Sequence, residues 1–491
     1  MKEAKQRFII QLKLDTTKTD SRILEKRFRI ANHIHNVMVK EARRRLSRLY
    51  RDSEYKEIIS HLKASQGKYR PGDKQKLRDI QRAYGLSEYQ FHAYVDKGQS
   101  QYSKNIDSHS RQKIATHVWQ ATASCIFGGG KDIHFHKLVH CHSIEGKSNT
   151  SGIRYRNNRL CWNGLYIPVI IKKNDSYICE ALGHDICFCR IVRRWHKHQY
   201  RYYLQLVMKG ISPCRNVPDI HNTSKVGIDI GPSTIACVSE KGVILTELTE
   251  DVPAIDRRLR AMQRKLDRQR RMNNPNNYNH DGTIKKDTKT FKKIWKTSRH
   301  MSNTADEIRA LYKKRAERLK QSHNRLANSI LSLGTDIYIE DMDMMALAKR
   351  TQKTEVSEQT GKYKKKKRFG KSISNHAPSM LIDTIDRKLA YIERDICKVD
   401  TYQVKASQLN HITGEYIKPQ LSERWKTIGA YVVQRDLYSA FLLSNMADQA
   451  TVDIDECFNH YEDFIIMHNN AIEELIERKN TGKRFPSCMG I

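Results

Sequence analysis

The stretch SKVGIDIGPSTIACVSEKG, residues 224–242, decides how the chain is read. Val226, Ile228 and Ile230 are β-branched and alternate, which predicts a strand. Asp229 stands among them. Aspartate is depleted from strands, and a carboxylate withdrawn from water is costly unless paired or bound to a metal. The segments TIACVS (234–239) and VILTEL (243–248) predict two more strands, with a tight turn at Glu240, Lys241 and Gly242.

Two further acids stand in apolar settings. DIYIEDMD, 336–343, reads as a strand ending in acids and carries Glu340. QRDLYSAFLL, 434–443, reads as the start of a helix and carries Asp436. Between the first two acids, Ile255, Leu259, Met262 and Leu266 mark an arginine-rich helix. A long helix follows, with a capping box expected at Thr304 and Glu307, an apolar stripe through Ile308, Leu311, Leu319, Leu326 and Ile330, and an end at Gly334. After Glu340, Ile385, Leu389, Ile392 and Ile396 mark another helix, and CKVDTYQV (397–404) reads as a strand.

A three-stranded hairpin sheet, a helix, a parallel strand and a closing helix fit a ribonuclease-H-like layout. In it, acids from the first strand, the fourth strand and the last helix converge. Three converging carboxylates repel one another unless cations neutralise them. Two Mg²⁺ ions about 3.5–4 Å apart would do so and would clamp both oxygens of a phosphodiester displacement; Mn²⁺ is the alternative ion. Asp229, Glu340 and Asp436 are therefore the catalytic and metal-binding candidates. Sugar-kinase-like ATPases open on a similar strand, but the DxGxT-like run they need is not found after residue 250.

Upstream, QRFIIQLKL (6–14) predicts a strand, and Leu24, Ala31, Ile34, Met38 and Ala42 a basic amphipathic helix. Helical sequence runs to about residue 125, and FGGGKD (127–132) reads as a turn. From 133 to 210 the pattern is one of short alternating strands with Asn-Asn and Asn-Gly turns, a small β-barrel or twisted sheet. The strand at 6–14 is expected to join it, which makes the helical segment an insertion.

Lys plus Arg number 89 against 54 acids, a net charge of +35. Such an excess fits a polyanionic partner, nucleic acid before an anionic membrane surface. No apolar run approaches the ~20 residues of a membrane span, so no membrane partner is expected. The first ten residues lack a signal-peptide core, and a cytoplasmic protein is expected. Eleven cysteines occur without a single CxxC. His134, His136, His140, Cys141 and His142 form one tempting cluster, and His184, Cys187 and Cys189 another; neither has zinc-knuckle spacing.

Together these motifs give a resemblance. VGIDIGPSTIACVS, DIYIEDMDMMAL and QRDLYSAFLL resemble the three motifs of the split RuvC domain in the transposon-encoded TnpB proteins and the compact type V CRISPR (Cas12-like) effectors. KSISNHAPSMLIDTIDRKLAY resembles the segment before their nucleic-acid-binding insert, and residues 152–171 with QYRYYLQLVMKG resemble their wedge domain. The fold implied is α+β and multidomain: an RNase-H-like (RuvC) α/β nuclease domain plus a β-barrel wedge with an inserted helical recognition domain. The expected division is wedge, 1–18 and 130–220; helical recognition domain, 19–129; nuclease, 224–404 and 432–491; basic lid loop, 349–371; degenerate zinc-ribbon-like insert, 405–431.

The function implied is that of an RNA-guided DNA endonuclease in the bacterial cytoplasm or nucleoid, monomeric or homodimeric. Its partners would be a guide RNA, a double-stranded DNA target and the displaced single strand. Arg257, Arg258, Arg264 and Arg268 on the arginine-rich helix would contact phosphates, as would Lys364, Lys365, Lys366, Lys367 and Arg368 in the lid. The family's two CxxC pairs are missing; Asn410 and His411 stand where the first belongs, and no zinc is expected. The rival readings are an RNA-guided binder without cleavage, and a guide-independent nuclease or transposase accessory protein.

Overall fold

In the computed structural model, which describes residues 6–491 except 66, 68, 197–198, 214–217, 289, 351, 353, 358–360, 362, 364–368 and 421, the first expected strand is β1 (Arg7–Leu14). The chain forms two units, 1–215 and 216–491. In the first, β1 feeds α1 (Lys18–Leu49) through a true capping box: Thr17 Oγ1 accepts from the Asp20 amide at 3.1 Å, and the Asp20 carboxylate accepts from the Thr17 amide at 2.9 Å. Leu24, Phe28, Ala31, Ile34, Met38 and Ala42 form the buried stripe of α1. The helices α2 (Ser53–Ala64), α3 (Asp73–Ala83), α4 (Glu88–Gly98) and α5 (Ser108–Phe127) complete the insertion.

The chain then returns to the sheet with β2 (Ser143–Glu145), β3 (Arg154–Arg156), β4 (Arg159–Trp162), β5 (Leu165–Ile170), the short α6 (Ser176–Ala181), β6 (Ile186–His196) and β7 (Gln199–Lys209). The seven strands are ordered β2-β6-β7-β1-β5-β4-β3, every neighbouring pair antiparallel. As expected, β1 joins this sheet, between β7 and β5, and its Phe8, Ile10, Leu12 and Leu14 share one core with α1. The turns lie where Asn-Asn and Asn-Gly predicted them: Asn157 and Asn158 have φ of 49° and 55°, Asn163 and Gly164 of 42° and 73°. Positive φ at both turn residues matches the twist of the flanking strands.

Two expectations need correction here. The barrel is not closed: the sheet curls until β3 approaches β6, with no ladder between its edges β2 and β3 among the described residues. Strand structure also begins at Ser143 rather than 133: the alternation of Ile133 and Phe135 forms no ladder, and the chain makes a helical turn at Leu138–His140 before β2.

In the second unit, β8 (Lys225–Ile230), β9 (Thr234–Ser239) and β10 (Gly242–Glu247) form an antiparallel meander. Two long helices, α7 (Asp256–Asn273) and α8 (Arg299–Leu333), lead to β11 (Asp336–Glu340), which lies parallel to β8. Then come α9 (Met344–Ala348), α10 (Gly370–His376), α11 (Pro378–Leu389), β12 (Cys397–Val399) and α12 (Thr401–Val404). The hairpin β13 (Trp425–Ile428) and β14 (Tyr431–Gln434) runs into α13 (Arg435–Ser444), and α14 (Ile454–Asn480) follows. The sheet order is β10-β9-β8-β11-β12.

The period of two along the strands divides this sheet into two faces. Val226, Ile228, Ile230, Ile337 and Ile339 pack with α8 and α11; Ala236, Val238 and Tyr338 pack with α13 and α14. The C-terminal tail packs on this region through Cys457, Tyr461, Phe464 and Ile465 of α14.

Local expectations fail at three places. The helix expected through Ile396 ends at Leu389, and a tighter turn at Ala390–Ile392 closes on Glu393 in the left-handed region. The long helix begins at Arg299 with Ser298 as its cap, accepting from the Met301 amide at 3.3 Å, so Thr304 is a buried interior residue and caps nothing. The strand at 397–404 stops at Val399, because Asp400 accepts from the amides of Tyr402 and Gln403 and starts α12. No described helix is long and apolar enough to cross a membrane.

Candidate active site

The three candidate acids meet in one cleft of about 430 Å³ in the second unit. Strand register explains two of them. Ile339 of β11 pairs with Ile228 of β8, so the next residues, Glu340 and Asp229, lie side by side, on the face opposite those two isoleucines. That face is the one α13 covers. The contact is close because β8 offers no side chain at Gly227: a Cβ there would overlap the Ala440 carbonyl of α13. The N-terminus of α13 carries Asp436.

The start of α13 is held by Gln434, which is fully buried. Its Oε1 accepts from the Leu437 amide at 2.8 Å, its Nε2 donates to the Met489 carbonyl at 3.3 Å, and its own amide donates to His468 Nε2 at 2.9 Å. One side chain therefore caps the helix that bears Asp436 and ties it to the C-terminal segment.

Electrostatics mark Asp229 as the strained member. Burial first, then the charges of Asp436 and Glu340, hold its carboxyl well above the usual carboxylate range, against the pull of Arg435 and Arg424. Burial also raises Glu340. Asp436 is held by its neighbour: Arg435 Nε and Nη2 lie 3.3 and 3.2 Å from Asp436 Oδ1, while Arg435 Nη1 donates to the Glu423 carbonyl at 3.0 Å.

The donor set suits a hard divalent cation, since all three groups are carboxylates and Asp229 carries repulsion that a cation would relieve. The set is not closed, however. Among the described residues no group of three or more His, Cys, Asp or Glu is arranged to hold a metal ion. The Arg435 guanidinium already engages Asp436, and coordination would require it to give way.

Sequence reading missed several residues of the cleft. Arg424, Arg435, Lys418 and Cys488 line it with the acids. Arg435 was legible beside Asp436 in the quoted motif. Cys488 had no local signal; it arrives from the C-terminal segment, with Sγ 3.7 Å from Ser233 Oγ and 3.8 Å from Thr234 Oγ1.

The other candidates are distributed differently. Arg257, Arg258, Arg264 and Arg268 are exposed on α7, away from the lining of the cleft. Lys364, Lys365, Lys366, Lys367 and Arg368 lie outside the described residues. Leu347, before the loop expected at 349–371, and Phe369, within it, both line the cleft.

In 405–431, where the resemblance places a zinc-ribbon-like insert, the chain forms a turn at Asn410. The Asn410 amide donates to the Glu415 carbonyl at 2.9 Å, and Leu409 bridges Tyr416. His411 is buried there, its amide and Nδ1 at 3.1 and 2.8 Å from the Tyr438 hydroxyl, its ring packed against Tyr438, Phe441, Phe458 and Tyr461. Burial lowers its pKa to about 4.

No protein-family model matches the chain, and no curated protein matches it. Among solved structures it is similar to one described as the Cas12f1–sgRNA–target DNA complex, with a TM-score of 0.44 and 10% identity over 90% of this chain and 99% of that one. It is also similar to one described as a CRISPR-Cas12f ternary complex, with a TM-score of 0.29 and 11% identity over 90% of this chain and all of that one.

Proposed function

We propose that this chain is an RNA-guided DNA endonuclease with a RuvC-type cleft formed by Asp229, Glu340 and Asp436. One observation carries the proposal: acids 111 and 96 residues apart in sequence meet in a single cleft, where burial and then the charges of two of them raise the carboxyl of the third. Structural ion pairs do not need such an arrangement, and a site for cations on a phosphodiester does. The sheet order, with its first three strands antiparallel and its fourth parallel to the first, supports the ribonuclease-H-like layout expected from the sequence; the fifth strand is also parallel. The curled antiparallel sheet of the first unit, with its helical insertion, supports the wedge and recognition assignment.

Asp229, Glu340 and Asp436 would hold two Mg²⁺ ions, with Mn²⁺ as a substitute. When bound, the ions supply charge neutralisation and activation of water at a phosphodiester. The chain's own residues prepare the site. Burial raises the carboxyls of Asp229 and Glu340, a cost that a bound cation would offset. Arg435 holds Asp436 until the site loads, and Arg424 and Lys418 line the approach where a phosphate backbone would lie. A guide RNA would supply sequence specificity through base pairing, while the protein reads the shape of the target duplex and holds the displaced strand.

The grip of Arg435 on Asp436 favours a second reading, a guide-directed binder that does not cut. Both readings are tested with protein purified together with its RNA. The expected result is Mg²⁺-dependent cutting of a DNA matching that RNA, with Asp229→Ala at least 100-fold slower and binding retained, as the loss of a metal ligand implies. Binding without cutting by wild-type protein establishes the second reading. Cutting after the RNA is removed establishes a guide-independent nuclease.

A further inference from the structure

The helical pair α7 and α8 presents a surface that the cleft does not use. Of the 18 residues of α7 only Met262 is buried. Arg257, Arg260, Arg264 and Arg268 follow one another at spacings of three, four and four, which places them in one row about 16 Å long. All four are exposed, and none has an ion pair among the described residues. Like charges four residues apart destabilise a helix, so the row is relieved by an anionic partner. Over 256–299 the sequence holds 15 Lys and Arg against 4 acids, so a polyanion is the fitting partner.

The far end of the pair is built differently. Asn274 and Asn277 are buried in the connecting loop. Asn274 Oδ1 accepts from the Lys296 amide at 2.6 Å, and its Nδ2 donates to the Lys296 and Arg270 carbonyls at 3.0 and 2.9 Å. Asn277 Nδ2 donates to the Ile294 carbonyl at 2.9 Å. These bonds pin 294–296 to the end of α7, where the Arg270 guanidinium stacks 4.0 Å from the Trp295 ring centroid. On this anchored tip Met272 is 83% exposed and Ile294 75% exposed.

We propose that this arm binds a folded RNA, the arginine row gripping the backbone of a stem and the tip receiving unpaired bases of its loop. The row alone would serve any nucleic acid backbone. The tip selects unpaired bases: exposed apolar side chains near a guanidinium–indole stack have no use for stacked duplex bases, whereas the loops of folded RNA offer bases free to stack on aromatic rings and arginine planes, and the DNA hairpin below separates RNA from DNA loops. The proposal deepens the RNA-guided reading and rests on it only for the identity of the RNA.

The test uses full-length protein and three labelled probes: an RNA hairpin with an unpaired loop, a blunt RNA duplex of the same stem, and the DNA hairpin of the same sequence. Affinity is measured across salt for wild type, for M272S/I294S and for R264Q/R268Q. The tip variant should bind the looped RNA about tenfold more weakly, the effect of losing a stacked base, with its salt slope and its duplex binding unchanged. The row variant should bind all three probes more weakly and lose roughly 0.7–0.9 of salt slope per phosphate contact. A tip variant that binds the looped RNA as wild type does, or that loses duplex and hairpin equally, overturns the proposal. All substituted side chains are exposed, and matching melting temperatures confirm intact folds. Guided DNA cutting is scored on the same preparations: an arm that fails while wild-type protein cuts sinks this inference alone, and wild-type protein that neither retains RNA nor cuts sinks the RNA-guided reading.

Discussion

Asp229 is where stability and chemistry oppose each other. Its carboxyl lies well above the usual range in the folded chain, through burial and the charges of Asp436 and Glu340. Between the ordinary and the raised pKa the folded state binds more protons than the unfolded state, so stability falls as pH rises through that interval. Above it, the full cost of the ionised group is present. Asp229→Asn removes that charge in a nearly identical shape. In metal-free buffer at neutral pH it should melt at a higher temperature than wild type, with the gap narrowing as pH falls toward the ordinary carboxylate range. Added Mg²⁺ should raise the melting temperature of wild type and leave that of Asp229→Asn nearly unmoved. An Asp229→Asn protein less stable than wild type under every condition would mean that Arg424 and Arg435 already neutralise the site. On the proposed function, such stabilisation on losing a site acid is a familiar trade.

At the scale of elements, α13 joins the parts of the site. It lies against β8 through Gly227, is capped by Gln434, and receives the insert at 405–431 through the contact of His411 with Tyr438. An aromatic cage thus fills the place where the resemblance put a metal knuckle. Because His411 has a pKa of about 4 against an ordinary 6.5, it is neutral when folded and takes up a proton on unfolding below pH 6.5. Stability from this group is complete above pH 6.5 and is lost as pH falls toward 4, by at most about 3 kcal/mol. His411→Phe, which keeps the ring packing, should flatten that acid limb in thermal melts between pH 7 and pH 4. An acid limb identical to that of wild type would remove His411 as the sensitive group.

At the scale of the molecule, the three buried clusters respect the division into two units: one lies wholly within 1–215 and two within 216–491. Each unit therefore has a core of its own, large enough to support independent folding. Fragments 6–213 and 218–491, expressed separately, should each show native-like circular dichroism and one cooperative melt. The second should retain the Mg²⁺-dependent rise in melting temperature, because all three acids belong to it. A molten or aggregated second fragment would show that its cores need the first unit.

Much of this was legible along the chain. β-branched alternation broken by Asp229, an apolar strand ending at Glu340 and a helix opening at Asp436 identified the acids and the order of their elements, because period and charge placement are local properties. The same locality located the Asn-Asn and Asn-Gly turns and showed β1 to be a strand awaiting a sheet. It misled where two local rules competed, at Thr304 and at Asp400, since several polar residues in one segment can cap a helix and only one does. Only the tertiary structure decided that Arg435 holds Asp436, that Cys488 faces Thr234 across 254 residues, that His411 lies in an aromatic cage and that the first sheet stays open. Those contacts follow from which faces pack together, and a side chain's own neighbours in sequence carry almost no information about a partner hundreds of residues away.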